Sequence, residues 1–385
     1  MNLDRVYLDY NATAPLLPVA RAAMLAAMDL PGNASSVHAE GRAARKVIEH
    51  ARTQVASLIG VRPRDITFTS GGTEAANLVL SPALTDGGKP VTRLLVAAGE
   101  HACVLQGHRF AEADVRVVPL QGDGQIDLAA LKTMLTEASE VRLLLALQVA
   151  NNETGVIQPV KEAAALVHEA GGLVVCDAVQ GLGRIDLKGL GADALFVSAH
   201  KIGGPKGVGA LAFANTGLHI NGAALVKGGG QEKGLRAGTE NIPAIAGFGA
   251  AAEAADLESV ASLVALRDRL EAKLAGLFPD LVVFGASAPR LPQTSAFAMS
   301  GVSAETLLIA LDLAGLAVSS GSACSSGKVQ ASHVLLAMGV DPDLAKGALR
   351  ISLGPANGAR DIEAFCEALE KAVRNIRTRS QKSAA

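Results

Sequence analysis

At 385 residues, with 49% apolar and 19% charged side chains, the chain is long enough for two domains and apolar enough to bury a large core, which excludes a disordered protein. Aromatics make up 3%, Trp is absent and the net charge is −2, so base-stacking platforms and a basic nucleic-acid footprint are both excluded. The first fifteen residues contain no apolar signal stretch, and no apolar run nears the ~20 residues that span a bilayer, so a cytoplasmic protein with no membrane contact is expected.

In chain order, Tyr7 to Pro15 reads as a short strand running into a turn, and Pro18 to Met28 as a helix. The loop Pro31 to Ser36 offers serines to cap a helix from about Val37 to Ile59, where Val47, Ile48, Ala51, Val55 and Leu58 share one face and Gly60 ends it. A pattern then repeats: an apolar strand, a polar loop, a helix. Asp65 to Ser70 leads to Gly71-Gly72-Thr73-Glu74 and a helix over Ala75 to Leu80. Leu94 to Ala97 leads to Glu100-His101 and a helix, and Val115 to Pro119 to a helix from Asp127 to Ala138. Val141 to Val149 leads to Asn151-Asn152-Glu153-Thr154-Gly155, Leu173 to Cys176 to Asp177, and Ala194 to Val197 to Ser198-Ala199-His200-Lys201. Such alternation predicts an α/β fold with a mainly parallel sheet covered on both faces, and ligands bind outside the carboxyl ends of its strands. Beyond about residue 240 the pattern changes. Ala244 to Lys273 reads as one long alanine-rich helical stretch, followed by short strands and helices of a smaller α+β domain. The expected division is a large domain over 15–255 and a small one over 1–14 and 256–385.

The strand-end residues carry the chemistry. Lys201 closes an apolar strand and is followed by Gly203-Gly204-Pro205. Burial disfavours a charged amine, and a neutral amine can form a Schiff base with an aldehyde. The alternative is a surface lysine on a tight turn. Asp177 ends an all-apolar strand, where a carboxylate suits a protonated ring nitrogen, or simply caps a helix. Gly72 and Thr73 open a helix and suit a phosphate, without the order of a Walker loop. His101 can stack on a flat ring, shuttle a proton or cap. Asn152 and Gln180 are neutral donors. Arg350, on a short apolar strand, suits either a substrate carboxylate or an interdomain ion pair. Of the four cysteines, Cys176 and Cys366 read as core and Cys103 is ambiguous, whereas Cys324 sits in a Ser/Gly loop as a candidate nucleophile. With no C-x-x-C pair, no metal site is expected.

These motifs, with Leu8 to Thr13, Arg236 to Asn241 and Ser320 to Gly327, resemble a known family over essentially the whole chain: the cysteine desulfurases of NifS/IscS type, class V aminotransferase relatives of fold-type I that use pyridoxal 5′-phosphate (PLP). The resemblance implies that Lys201 anchors the cofactor and moves protons, Asp177 pairs with the ring nitrogen and His101 stacks on the ring. It implies that Asn152 and Gln180 sit near the ring oxygen, and that Gly72, Thr73, Ser198 and His200 bind phosphate, joined by Thr239 from a second subunit of a homodimer with shared sites. Asn152 and Arg350 would hold the carboxylate of L-cysteine. Cys324 would become a persulfide and pass its sulfur to an acceptor such as an iron–sulfur scaffold. Selenocysteine lyase, another class V aminotransferase and a non-catalytic scaffold of the same fold are the alternatives. Two departures from the family pattern stand out: Ala34 replaces a usual proline, and Lys328 to Ala331 replaces a leucine-glutamate-proline run.

Overall fold

The computed structural model describes residues 5–137, 141–320 and 330–384. Seven strands form the central sheet: β1 (Ile66–Thr69), β2 (Arg93–Ala97), β3 (Val115–Val118), β4 (Leu143–Gln148), β5 (Leu173–Asp177), β6 (Ala194–Ser198) and β7 (Gly209–Phe213). Their order is β1-β7-β6-β5-β4-β2-β3, and β7 alone among them runs antiparallel to its neighbours. All residues of β4, β5 and β6 are buried, as expected of continuous apolar runs covered on both faces. Each fully buried leucine of β4 contributes roughly 1.5–3 kcal/mol.

Helices α1 (Pro18–Met28) and α2 (Ala39–Ile59) pack on a later helix, Ile242–Glu253. The helix α2 begins two residues later than its serines suggest. Its cap is His38, whose ring accepts the Gly41 amide, and Gly60 ends it in the left-handed conformation at φ 88°. The stretch expected as one helix from Ala244 to Lys273 is three: Ile242–Glu253, Leu257–Ala261 and Leu263–Leu277. Asp256 makes the break, because its side chain accepts the amides of Glu258 and Ser259 and so starts a new helix.

A second, four-stranded antiparallel sheet orders Leu281–Val283, Thr294–Met299, Leu349–Ser352 and Ser319–Ser320. Its core includes Phe297, Phe365, Leu349 and Leu8, separate from the core under the central sheet. The N-terminal segment belongs with this second sheet: Val6–Tyr7 pairs with Leu316–Ala317, and Asp9 bridges to Ser352. Residues 8–13 therefore pass between the two sheets, where the strand ends of the first meet the face of the second.

Candidate active site

The strand register fixes which polar groups meet. Gln148 lies opposite Asp177, so the ends of β4 and β5 are level, and Asp177 lies opposite Phe196, so β6 runs two residues further to Ser198. Gly209 lies between Thr69 and Ser198. A Cβ there would stand 2.5 Å from the Val197 carbonyl oxygen and 2.7 Å from the Gly71 Cα, so only glycine lets the Gly71 loop close against β6. The result is one cavity of about 330 Å³. Gly72, Thr73, His101, Asn152, Asp177, Gln180, Ser198, His200, Lys201 and Arg350, all expected from sequence, line it together. Thr239 is exposed and is not part of this wall. Cys324 lies outside the described residues, but Ser319 and Ser320, just before its loop, line the cavity.

Lys201 ends a short turn after β6. Its Nζ donates to the carbonyl oxygens of Asn11 (2.7 Å) and Ala12 (2.8 Å). No carboxylate lies within ion-pair distance of it among the described residues. Burial, then the charges of Arg184 and Arg350, pull its pKa down to about 7, so much of the amine is neutral near neutrality. The alternative of a surface lysine on a tight turn is thus excluded.

Asp177 accepts the Val179 amide (2.9 Å) and caps no helix. Burial raises its carboxyl to about 6, and it too has no cation at ion-pair distance among the described residues. Beside it is a second acid, Glu100, fully buried, which accepts the Gln148 amide (2.6 Å) on one oxygen and has no partner for the other. Burial, then the charge of Asp177, pushes Glu100 well above the ordinary carboxylate range. Asp177, at about 6, is mostly ionised at neutral pH, and its charge adds to burial in disfavouring a second negative charge on Glu100.

His101 caps a single helical turn, its Nδ1 accepting the Cys103 amide (3.1 Å). That bond assigns the ring proton to Nε2. Burial, then Lys201 and His333, lower its pKa and keep the ring neutral. The thiol of Cys103 also lines the cavity, but burial and the nearby Asp177 and Glu100 push it far above the range of a reactive thiol. At the opposite end, Gly71 caps the helix Gly72–Val79, whose first-turn amides point outward. Ser198 and His200 flank them. His200 pairs through Nδ1 with Thr13 Oγ1 (3.2 Å), and burial lowers it to about 4.

The facing wall carries Arg350, buried, which donates to Asp9 Oδ1 (2.6 Å) and to the Asn152 carbonyl (2.9 Å), with Nε unpartnered. Arg350 does form an ion pair, but with Asp9 of its own small domain, not the interdomain pair that sequence offered as an alternative, and it still faces the cavity. Two site residues had no signal strong enough to single them out. Asn11 accepts from Lys201 Nζ and Gln180 through its carbonyl, and its side chain joins Thr294, Gln293 and Arg184. Arg184 binds from beneath. Such a site combines a partly neutral amine, a buried carboxylate without a cation at ion-pair distance among the described residues, a helix start and a buried arginine.

Comparison with known proteins agrees with that constellation. The profile described as "Aminotransferase class-V" matches residues 6–365. The chain is 42% identical to a cysteine desulfurase of Cereibacter sphaeroides, with 98% of each chain covered. The chain belongs to the cysteine desulfurase group of the class V aminotransferase family. Its α/β fold is that of solved relatives. A NifS-like protein from Rickettsia africae matches at TM-score 0.85 and 35% identity, covering 96% of this chain and 99% of that one. A protein described as SspA in complex with cysteine matches at TM-score 0.75 and 27% identity, covering 91% and 99%.

Proposed function

We propose that this class V enzyme removes sulfur from L-cysteine to give L-alanine, with PLP held at Lys201 and the sulfur carried on Cys324. The observation that supports it most is that Lys201, largely neutral near neutrality, and Asp177, buried without a cation at ion-pair distance, line one cavity at the ends of adjacent parallel strands.

The donor set fits PLP. Lys201 offers an amine for the aldehyde, Asp177 an anion for the protonated ring nitrogen, and Gly72, Thr73, Ser198 and His200 donors for the phosphate. Asn152, Gln180 and the flat, neutral His101 complete the cradle, with Thr239 contributed by a second subunit. When bound, PLP supplies an electron sink for negative charge developing at the substrate Cα. The protein does the rest. Arg350 orients the substrate carboxylate through its fork, and Asn152 flanks it. Lys201 Nζ, in its neutral form, takes the proton from Cα. Asp177, with its carboxyl at about 6, is mostly ionised at neutral pH. Cys324 attacks the substrate sulfur as a thiolate. An S–S bond forms as the C–S bond breaks, the bonding electrons pass to Cβ, which takes up a proton, and the proton held on Lys201 returns to Cα to complete L-alanine.

The same proposal includes a homodimer with shared sites, a sulfur-accepting protein of iron–sulfur assembly as recipient, and a cytoplasmic location. Among the described residues no helix is long and apolar enough to cross a membrane. The two separate cores support a division into 15–255 and 1–14 with 256–385.

The test compares wild type with Cys324→Ser in the presence of PLP, L-cysteine and a reductant. We expect sulfide and alanine in equal amounts from wild type, and loss of sulfide release with retained colour in the variant. Undiminished sulfide from Cys324→Ser overturns the persulfide route. Transamination of L-cysteine without sulfide overturns the desulfurase reading.

A further inference from the structure

Arg184 has no part in the scheme above, yet it is among the most costly residues in the fold. It is 7% exposed, and no carboxylate lies at ion-pair distance among the described residues. A buried cation left unpaired is normally avoided, because an apolar residue of like volume would cost less. Burial pulls its guanidinium down to about 9, which still leaves it charged at neutrality.

What it holds explains the expense. Nη1 donates to Asn11 Oδ1 (3.0 Å) and to Gln180 Oε1; Nη2 donates to the carbonyl oxygens of Tyr10 (3.0 Å) and Lys201 (3.3 Å). Three of these partners serve the reactive amine. The Lys201 carbonyl is the near end of that residue. Asn11 receives the far end, Nζ, on its own carbonyl, and Gln180 donates to that same oxygen (3.1 Å). The guanidinium thus grips both ends of the lysine. Every acceptor is neutral, so no counter-charge cancels the guanidinium locally.

We propose that Arg184 is a positioning residue for Lys201: its fork fixes the lysine between its own backbone and Asn11, and it holds a positive charge there that no acid cancels. The proposal rests on Lys201 being the reactive amine of the proposed function.

The groups that face the amine support this assignment. Arg184 and Arg350 disfavour its proton, whereas Asp177 and Asp9 favour it; His101 and His200 lie nearby and are neutral. Arg350 is paired with Asp9 at 2.6 Å, so its effect is largely offset. Arg184 has no such offset. A purely structural role, stapling residues 10–11 to the turn after Asp177, predicts lower stability on substitution but no change in the lysine's titration.

The experiment reads the lysine directly. The full-length chain, freed of PLP by dialysis against a competing amine, is labelled with trace acetic anhydride across pH. Acetylation of Lys201 is quantified by peptide mass spectrometry, with exposed Lys206 as the internal standard. In wild type the midpoint is expected at about 7. Arg184→Lys, which keeps the charge but not the fork, should stay within about 0.3 of a pH unit while releasing PLP several-fold faster. Arg184→Gln should rise by about one unit, a roughly fivefold loss of neutral amine at pH 7. A wild-type midpoint at the ordinary lysine value of about 10.4 overturns the proposal. So does an Arg184→Gln midpoint equal to that of wild type. Should Arg184→Gln fail to fold, Arg184→Lys decides: a rise of about one unit with the charge retained overturns the proposal. Sulfide production plays no part in this readout, so failure of the desulfurase assignment and failure of this inference are separately visible.

Discussion

The two walls of the cavity treat charge in opposite ways. On the second sheet Arg350 meets Asp9 at 2.6 Å, and the pair is closed. On the floor formed by the strand ends of the central sheet, Lys201, Asp177 and Arg184 all lie without an ion partner among the described residues, although each is mostly or fully buried. A closed pair is cheap to keep and must be opened by a competing carboxylate. Unpaired buried groups are expensive, and they stay poised because their neighbours offer only neutral acceptors. The floor is therefore arranged for a resident group that brings its own charges, and the wall for a ligand that comes and goes.

Four measurements break or sharpen this contrast. The largest effect belongs to the floor. Lys201→Ala should abolish the borohydride-reducible link to PLP and lower turnover of L-cysteine by at least about 10³-fold; a yellow, reducible variant would place the anchor elsewhere. On the wall, Arg350→Lys keeps charge but loses the fork, so KM for L-cysteine should rise about tenfold with a smaller change in kcat. A change confined to kcat would assign Arg350 to the floor's chemistry. The third measurement uses pH. The Lys201 amine has its pKa lowered to about 7, and the neutral form is the competent one, so capture of PLP by the free chain must accelerate with rising pH. A gain of about fivefold from pH 6 to 7, flattening above 8, is expected for a group of that pKa. Stopped-flow absorbance checks it, and a rise that continues beyond pH 9 would mean an ordinary lysine. The smallest effect is predicted for Cys103→Ala. That thiol faces the cavity but is held protonated by burial and by its acidic neighbours, so sulfide release should change less than about twofold.

Much of the floor was legible because its strand-end residues follow apolar runs of adjacent strands. Lys201, Asp177 and His101 needed only local pattern and the rule that such ends converge. Asn11 and Arg184 were not legible in that way. Their roles arise from partners 169 to 190 positions distant for Asn11, and Arg184 looks like any exposed loop arginine until the N-terminal segment covers it. Local chemistry also overrode periodicity in two helices. His38 displaced the serines as a cap, and Asp256 split a stretch whose alanine content favours one continuous helix. Arg350 pairs within its own domain, not across a domain boundary, and the same guanidinium lines the cavity.

The bridge from Asp9 to Ser352 joins positions near opposite ends of the chain, and the Asp9–Arg350 pair spans 341 residues. During synthesis the strand ends that hold the lysine are complete once β7 has emerged, while the arginine wall is still unmade. Closing so long a loop is entropically slow, and it waits for nearly the last strand. The chain therefore acquires its capacities in sequence, the means of retaining a cofactor first and the means of recognising a substrate last.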